Sequence, residues 1–221
     1  DNYGPSARTS NGKSIINQFR VEGYSHEEKP IYVLQIGSLD KPAVFFSGLT
    51  HAREPMTMMS LMHFMFWLCE NYNESSSEKN HLNKTIANVL VDNFCIWIMP
   101  ICNPDGYIFN ENLQPNGGGM YRKNRNINNT ENCKKVDQGV DLNRNYDINW
   151  GVSYDGSSGN PCSDFYRGTS AFSEEESRVM RDFFGHSDNK LTNDKNIKIA
   201  MHLHSPGNFI IIPKTRKGSV Y

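Results

Sequence analysis

The run VLVDNFCIWIMPI at residues 89–101 constrains the fold more than any other stretch. It is β-branched and aromatic, and it stops where Asn103, Pro104, Asp105 and Gly106 make a strong turn signal, so it reads as a buried strand. Two further strands are expected at 31–36 (IYVLQI) and 42–47 (PAVFFS), joined by a short Gly/Asp/Lys turn. A long buried helix over 54–72 follows, and a polar loop over 73–85 leads on to the 89–101 strand. From 103 to about 170 the chain is rich in Gly, Asn and Asp with little periodicity; so long an irregular stretch in a compact domain is usually functional or disordered, and its motifs favour functional. SEEESRVMRDFF at 173–184 predicts a helix opened by a capping box, with Ser173 at the N-cap and Glu176 at N3. IKIAMHLH at 197–204 and NFIIIP at 208–213 read as strands. This order predicts an α/β chain, a mixed central β-sheet flanked by helices, forming a single domain over 1–221. In such sheets sites gather beyond the carboxyl ends of strands, where His51, Asn103 and His204 fall.

Bulk properties narrow the function. With 23 Lys and Arg against 24 Asp and Glu, there is no electrostatic case for a nucleic-acid or anionic-membrane partner. The apolar stretch at 56–69 is too short for a membrane span and is interrupted by Thr57, Ser60 and His63. No basic, apolar signal opens the chain at Asp1, so a targeting segment is expected to be absent or already removed. Cys69, Cys95 and Cys102 sit in apolar runs and read as buried thiols. Cys133 and Cys162 sit in polar, loop-like sequence and are the pair available for a disulfide in an oxidising compartment. Sequons at Asn73, Asn83 and Asn128 lean the same way, toward the secretory pathway.

GLTHAREP at 48–55 places His51 and Glu54 three residues apart at a strand-to-helix junction, where they share a face. An imidazole and a carboxylate suit zinc, but such a site needs a third protein ligand and an open position for water. On a strand, His202 and His204 face the same side, and spacing alone does not choose between them. Between the clusters lie GGGMYRKNRN at 117–126 and GVDLNRNYDINWG at 139–151. There Arg122, Arg125 and Arg144 are candidate donors to a carboxylate or a developing oxyanion. Asp141 is a candidate acceptor for the far nitrogen of a metal-bound imidazole.

HxxE, NPDGY, YRKNR, GVDLNRNY and a terminal HS, in this order, resemble the zinc metallocarboxypeptidases of the pancreatic carboxypeptidase A and B type and their bacterial and protist relatives. The resemblance implies one zinc per chain, held by His51, Glu54 and His204, and hydrolysis of the C-terminal peptide bond of peptides or proteins. It implies that Asn143 and Arg144 grip the substrate's terminal carboxylate and that Arg125 stabilises the oxyanion. Arg53 and Arg122 match further substrate-contacting positions, and Asp141 matches the partner of the first histidine ligand. It also implies a Cys133–Cys162 disulfide, and a cis bond between Ser205 and Pro206.

In the family the general-base glutamate and a capping tyrosine lie well beyond the third ligand, whereas Tyr221 follows His204 by 17 residues. Glu174, Glu175 and Glu176 fit a helix start better than a catalytic base. The expected reading is therefore a zinc carboxypeptidase domain incomplete at both ends, completed by a further C-terminal segment or a second chain. The alternative is a non-catalytic protein that binds zinc and peptide C-termini without the general base. A related amidohydrolase of small N-acyl amino acids is disfavoured, because NPDGY and GVDLNRNY resemble the peptidase branch.

Overall fold

The computed structural model describes residues 14–73, 81–152, 156–187, 190–191, 195–207 and 209–212. In chain order its elements are β1 (Ile16–Tyr24), β2 (Pro30–Ile36), β3 (Ala43–Ser47), α1 (Pro55–Asn71), α2 (His81–Asn93), β4 (Cys95–Met99), α3 (Pro104–Leu113), α4 (Glu175–Phe183), β5 (His186–Ser187), β6 (Lys190–Leu191) and β7 (Ile197–His202). Five strands form one mixed sheet in the order β1-β2-β4-β3-β7, and β5 and β6 make a separate two-stranded ribbon. β1 and β2, and β2 and β4, are antiparallel, whereas β3 runs parallel to both β4 and β7.

Strand alternation sorts the core into two layers. Leu34, Ile36, Ile96 and Ile98 face Leu61 and Leu68 of α1 and Ala87 and Val91 of α2. Ile31, Val33, Phe45, Trp97 and Met99 face Met180 and Phe183 of α4. All five residues of β4 are buried, as a strand covered on both faces must be. Each fully buried side chain of this size contributes about 1.5–3 kcal/mol by leaving water, so the cluster in which Phe183 meets Phe45 at a tilt and Trp97 edge-on is a main anchor of α4. At the turn after β2, Gly37 adopts φ +79 and lies so near the Phe94 carbonyl that a Cβ would fall 2.3 Å from its oxygen.

The parallel pairs align Ser47 with Met99 and with His202. That register gathers the three following loops, carrying His51, Asn103 and His204, at one end of the sheet. The antiparallel β2 begins at the same end, so the turn before it meets α3: the Ser25 hydroxyl donates to Asp105 (2.6 Å), as does the Glu27 amide (2.8 Å).

Several expected elements differ. The strand read at 89–101 is only Cys95–Met99, and Val89–Asn93 belongs to α2, which also takes the end of the expected 73–85 loop. Ala87 and Val91 are buried four residues apart against α1, a helical spacing that polar Asn, Lys and Thr around them conceal. The 103–106 turn signal is instead a helix start: Asn103 caps α3 by accepting from the Gly106 amide (3.0 Å), and Pro104 occupies the first turn. Helix α4 opens without the expected capping box, because Glu174 is its N-cap with no side-chain cap bond and the Glu176 carboxylate is turned into a buried network. β1, absent from the sequence reading, pairs with β2 through two irregularities in register. Of the expected 208–213 strand, residues 209–212 are not a strand, and they lie with their side chains exposed. The positions 208 and 213 fall outside the described residues. Cys133 and Cys162 form a disulfide, Cys69, Cys95 and Cys102 are buried thiols, and the Ser205–Pro206 bond is cis.

Candidate metal centre

Where β3 ends, the backbone turns sharply. The Gly48 amide donates to the Met99 carbonyl and the Thr57 hydroxyl accepts from the Leu49 amide, pinning the 48–57 loop between β4 and α1. Leu49 takes φ +50 within this turn. Glu54 then sits at the N-cap of α1 with Pro55 in the first turn, so both His51 and Glu54 are held, and each is nearly fully buried. His204 arrives from beyond the end of β7. His202, two residues earlier, instead bonds the Ser47 hydroxyl through Nδ1 (2.6 Å) and packs edge-on against Phe45.

One ligand atom from each of His51, Glu54 and His204 lies within 4.8 Å of the others. His51 Nδ1 is 2.8 Å from Glu54 Oε1, His204 Nδ1 is 3.0 Å from Glu54 Oε2, and the two Nδ1 atoms are 3.2 Å apart. Tetrahedral zinc with ligand distances of about 2.0–2.1 Å needs its donors roughly 3.3 Å from one another, so the trio is close to the required spacing. Two imidazole nitrogens directed at each other and at a carboxylate also suit a cation between them. The donor set fits zinc.

The far nitrogen of His51 faces Asp141, with Nε2 3.2 Å from Oδ1. Asp141 caps the 3-10 turn Leu142–Arg144, taking the Asn143 amide on Oδ1 (3.0 Å), and it accepts Arg122 Nε (3.1 Å) and Nη2 (2.8 Å) on Oδ2. Arg122 Nη1 also comes within 3.8 Å of Glu54. Burial opposes ionisation of Glu54, but the hydrogen bonds with His204 and His51 outweigh it and hold its pKa at about 2. Burial likewise opposes ionisation of Asp141, and His51 and Arg122 together keep its carboxyl below the usual range. Burial favours neutral His51, yet Asp141 and Glu54 raise its pKa on balance.

The other arginines occupy distinct places. Arg53 reaches the Met120 carbonyl (3.4 Å) and Asp164 (3.3 Å). Arg125 lies 3.9 Å above the Phe109 ring, donates to the Tyr121 hydroxyl (3.2 Å) and comes within 3.9 Å of Glu27, contacts that are not with the trio. Arg144 donates to the Gly156 carbonyl and stands over Phe165, the ring that also carries Arg122. With Asn143, Tyr146, Ile148 and Trp150 it lines a cavity of about 210 Å³. Sequence reasoning overlooked Lys123, whose ammonium is buried and donates to the carbonyls of Asp137, Pro161 (3.0 Å) and Ser163 (2.9 Å). Burial lowers its pKa to about 8. Nothing in the spacing of YRKNR signals these partners, which lie 14 to 40 residues away.

Fold and site together define an α/β protein in which His51, Glu54 and His204 form a candidate metal site at the carboxyl ends of its parallel strands. The chain belongs to the zinc carboxypeptidase family, which matches residues 10–219. It is 37% identical over 197 residues to metallocarboxypeptidase A of Trichophyton rubrum, covering 86% of this chain and 41% of that protein. It is 33% identical over 203 residues to carboxypeptidase B of Helicoverpa zea, covering 89% and 41% respectively. The crystal structure of carboxypeptidase A from Helicoverpa armigera matches with a TM-score of 0.66 at 32% identity, over 87% of this chain and 41% of that one. The chain thus spans about 41% of the length of these relatives. Among the described residues, no helix is long and apolar enough to cross a membrane.

Proposed function

We propose that this chain carries the metal centre of a zinc-dependent metallocarboxypeptidase that hydrolyses the C-terminal peptide bond of peptides or proteins. The observation that carries this reading is the convergence of His51, Glu54 and His204, with Asp141 behind His51 and Arg122 behind Asp141. When bound, zinc supplies Lewis-acid polarisation of a carbonyl and activation of water. Asn143 and Arg144, beside the cavity of about 210 Å³, hold the terminal carboxylate and so select a chain end. Arg125 is assigned to the oxyanion, and Arg53 and Arg122 to the substrate side of the site. The domain is read as one unit over 1–221.

Glu54 and Asp141 are committed to the centre, and Glu174 and Glu176 to Asn124, which leaves none of these four as the proton acceptor. We assign that role to a segment or second chain packed along β7, whose Ile199 and Met201 are 56% and 43% exposed at the sheet edge. The disulfide and the exposed Asn73, Asn83 and Asn128 support a secretory location. The test is release of C-terminal residues from mixed peptides by the zinc-loaded full-length protein. Arg144→Ala should weaken substrate binding by about 2–5 kcal/mol, the scale for removing one partner of a buried charge pair. Stoichiometric zinc without any release would leave a binding protein in place of a peptidase, and an unaltered affinity in Arg144→Ala would remove the clamp.

A further inference from the structure

Asn124 lies within the YRKNR block, which packs against GVDLNRNY, and is fully buried. Its backbone amide donates to the Val140 carbonyl (3.0 Å), and its side-chain Oδ1 accepts from the Val140 amide (2.9 Å). One residue is thereby held at two points by another, which fixes both the slide and the rotation of the 121–125 segment against 139–141. The pairing is close: a Cβ on Gly139, at φ +88, would fall 2.0 Å from the Asn124 carbonyl oxygen. Tyr121 adds a third tie, its hydroxyl sharing its one proton between the carbonyls of Asn124 and Gln138.

The register so set is the one the metal centre uses. Two residues before Asn124, Arg122 meets Asp141, which is one residue after Val140. Asp141 in turn faces His51, and the Arg122 carbonyl accepts from the Ala52 amide (3.0 Å). A slip of the pairing would withdraw both Arg122 and Asp141 from the imidazole they orient.

What holds Asn124 itself is a pair of acids from the start of α4. Its Nδ2 donates to Glu174 Oε2 (2.8 Å) and to Glu176 Oε2 (3.0 Å), and both carboxylates are buried. Glu174 is further held by Asn126 Nδ2 (2.9 Å) and by the Ser173 hydroxyl (2.6 Å), and Glu176 by the His26 amide (3.3 Å). Burial, with Asp105 nearby, pushes the Glu176 carboxyl up to about 7, which is the cost of keeping it in this place. Only a neutral side chain with a donor at one end and an acceptor at the other satisfies two carboxylates and an amide at once. An aspartate here would set a third carboxylate against two, and an alanine would take one donor from each carboxylate and the acceptor from the Val140 amide.

We propose that Asn124, anchored by Glu174 and Glu176, is a positioning residue for the metal centre, acting through Arg122 and Asp141 on the orientation of His51. The inference rests on the zinc site of the proposed function and is independent of whether the protein hydrolyses peptides.

The test compares zinc affinity, the cobalt(II) absorption spectrum and the melting temperature of the metal-free form for the full-length protein and its variants Asn124→Asp and Glu174→Ala. Asp141→Asn serves as the reference for a lost partner of the histidine ligand. Asn124→Asp should raise the zinc Kd about ten-fold, at the low end of the 10–100-fold range for outer partners of metal ligands. Its cobalt spectrum should shift in the same direction as that of Asp141→Asn. Glu174→Ala, which leaves Glu176 to hold Asn124, should give a smaller shift of the same sign and keeps the test decisive if Asn124→Asp does not fold. A fall in melting temperature with unchanged zinc Kd and cobalt spectrum in the folded variants would overturn the proposal, because it marks a purely structural role. Absence of zinc binding by the unsubstituted protein would instead overturn the metal site, and this proposal with it.

Discussion

Replacing His204 with alanine is expected to raise the zinc Kd by about a hundred-fold to somewhat under a thousand-fold. Structural zinc sites gather about 10–16 kcal/mol from four ligands, so one ligand carries on the order of 2.5–4 kcal/mol. The substitution is clean, since His204 lies beyond the end of β7 with its side chain 33% exposed and its removal empties no core space. His202→Ala is the matched control. That ring belongs to the last residue of β7, two positions before His204, but is bonded to Ser47, so its loss should leave the zinc Kd within about two-fold. Competition against a chromophoric chelator measures both variants, and equal losses would mean that the strand, and not the ligand, had been disturbed.

The second large effect concerns the loop beneath the centre. Cys133 and Cys162 close a loop with a sequence separation of 29. Opening it, by replacing both cysteines with serine, should cost about 3–4 kcal/mol on the chain-entropy account. For a chain of 221 residues that corresponds to a fall of roughly 10 °C in Tm. Lys123 makes the loop matter to the site: its ammonium ties Asp137 inside the loop and Pro161 and Ser163 on either side of Cys162, while the neighbouring Arg122 holds Asp141. Calorimetry on the double variant measures the change. An unchanged Tm would show that the lysine staple alone holds the loop.

The parts of this architecture legible in the sequence are those governed by local periodicity. Strands β2 and β3 and helix α1 have clear two-residue or long apolar patterns, and they stand where expected. α3 was concealed because Pro104 and Gly106 signal turns and helix starts alike, and only the Asn103 cap decides between them. The SEEES stretch shows the opposite error: a local rule predicted a capping box, but Asn124, some 50 residues away, draws Glu174 and Glu176 into the interior. His51 and Glu54 could be singled out from their spacing, whereas the choice of His204 over His202 came from the resemblance. In the structure β7 ends at His202, and His204, beyond the strand, lies 3.0 Å from Glu54. The bonds that Lys123 and Asn124 make were not legible at all, because contacts between irregular segments follow no sequence period.

The central claim is that His51, Glu54 and His204 together hold one zinc ion. Zinc-edge anomalous diffraction from crystals of the zinc-loaded protein tests it most directly. The account predicts a single peak coordinated by Nδ1 of His51, Nδ1 of His204 and the Glu54 carboxylate, with distances of about 2.0–2.2 Å, and with Asp141 still facing His51 Nε2. A peak on His202, on a cysteine sulfur or on the Glu174 and Glu176 pair, with the trio left without metal, would contradict it.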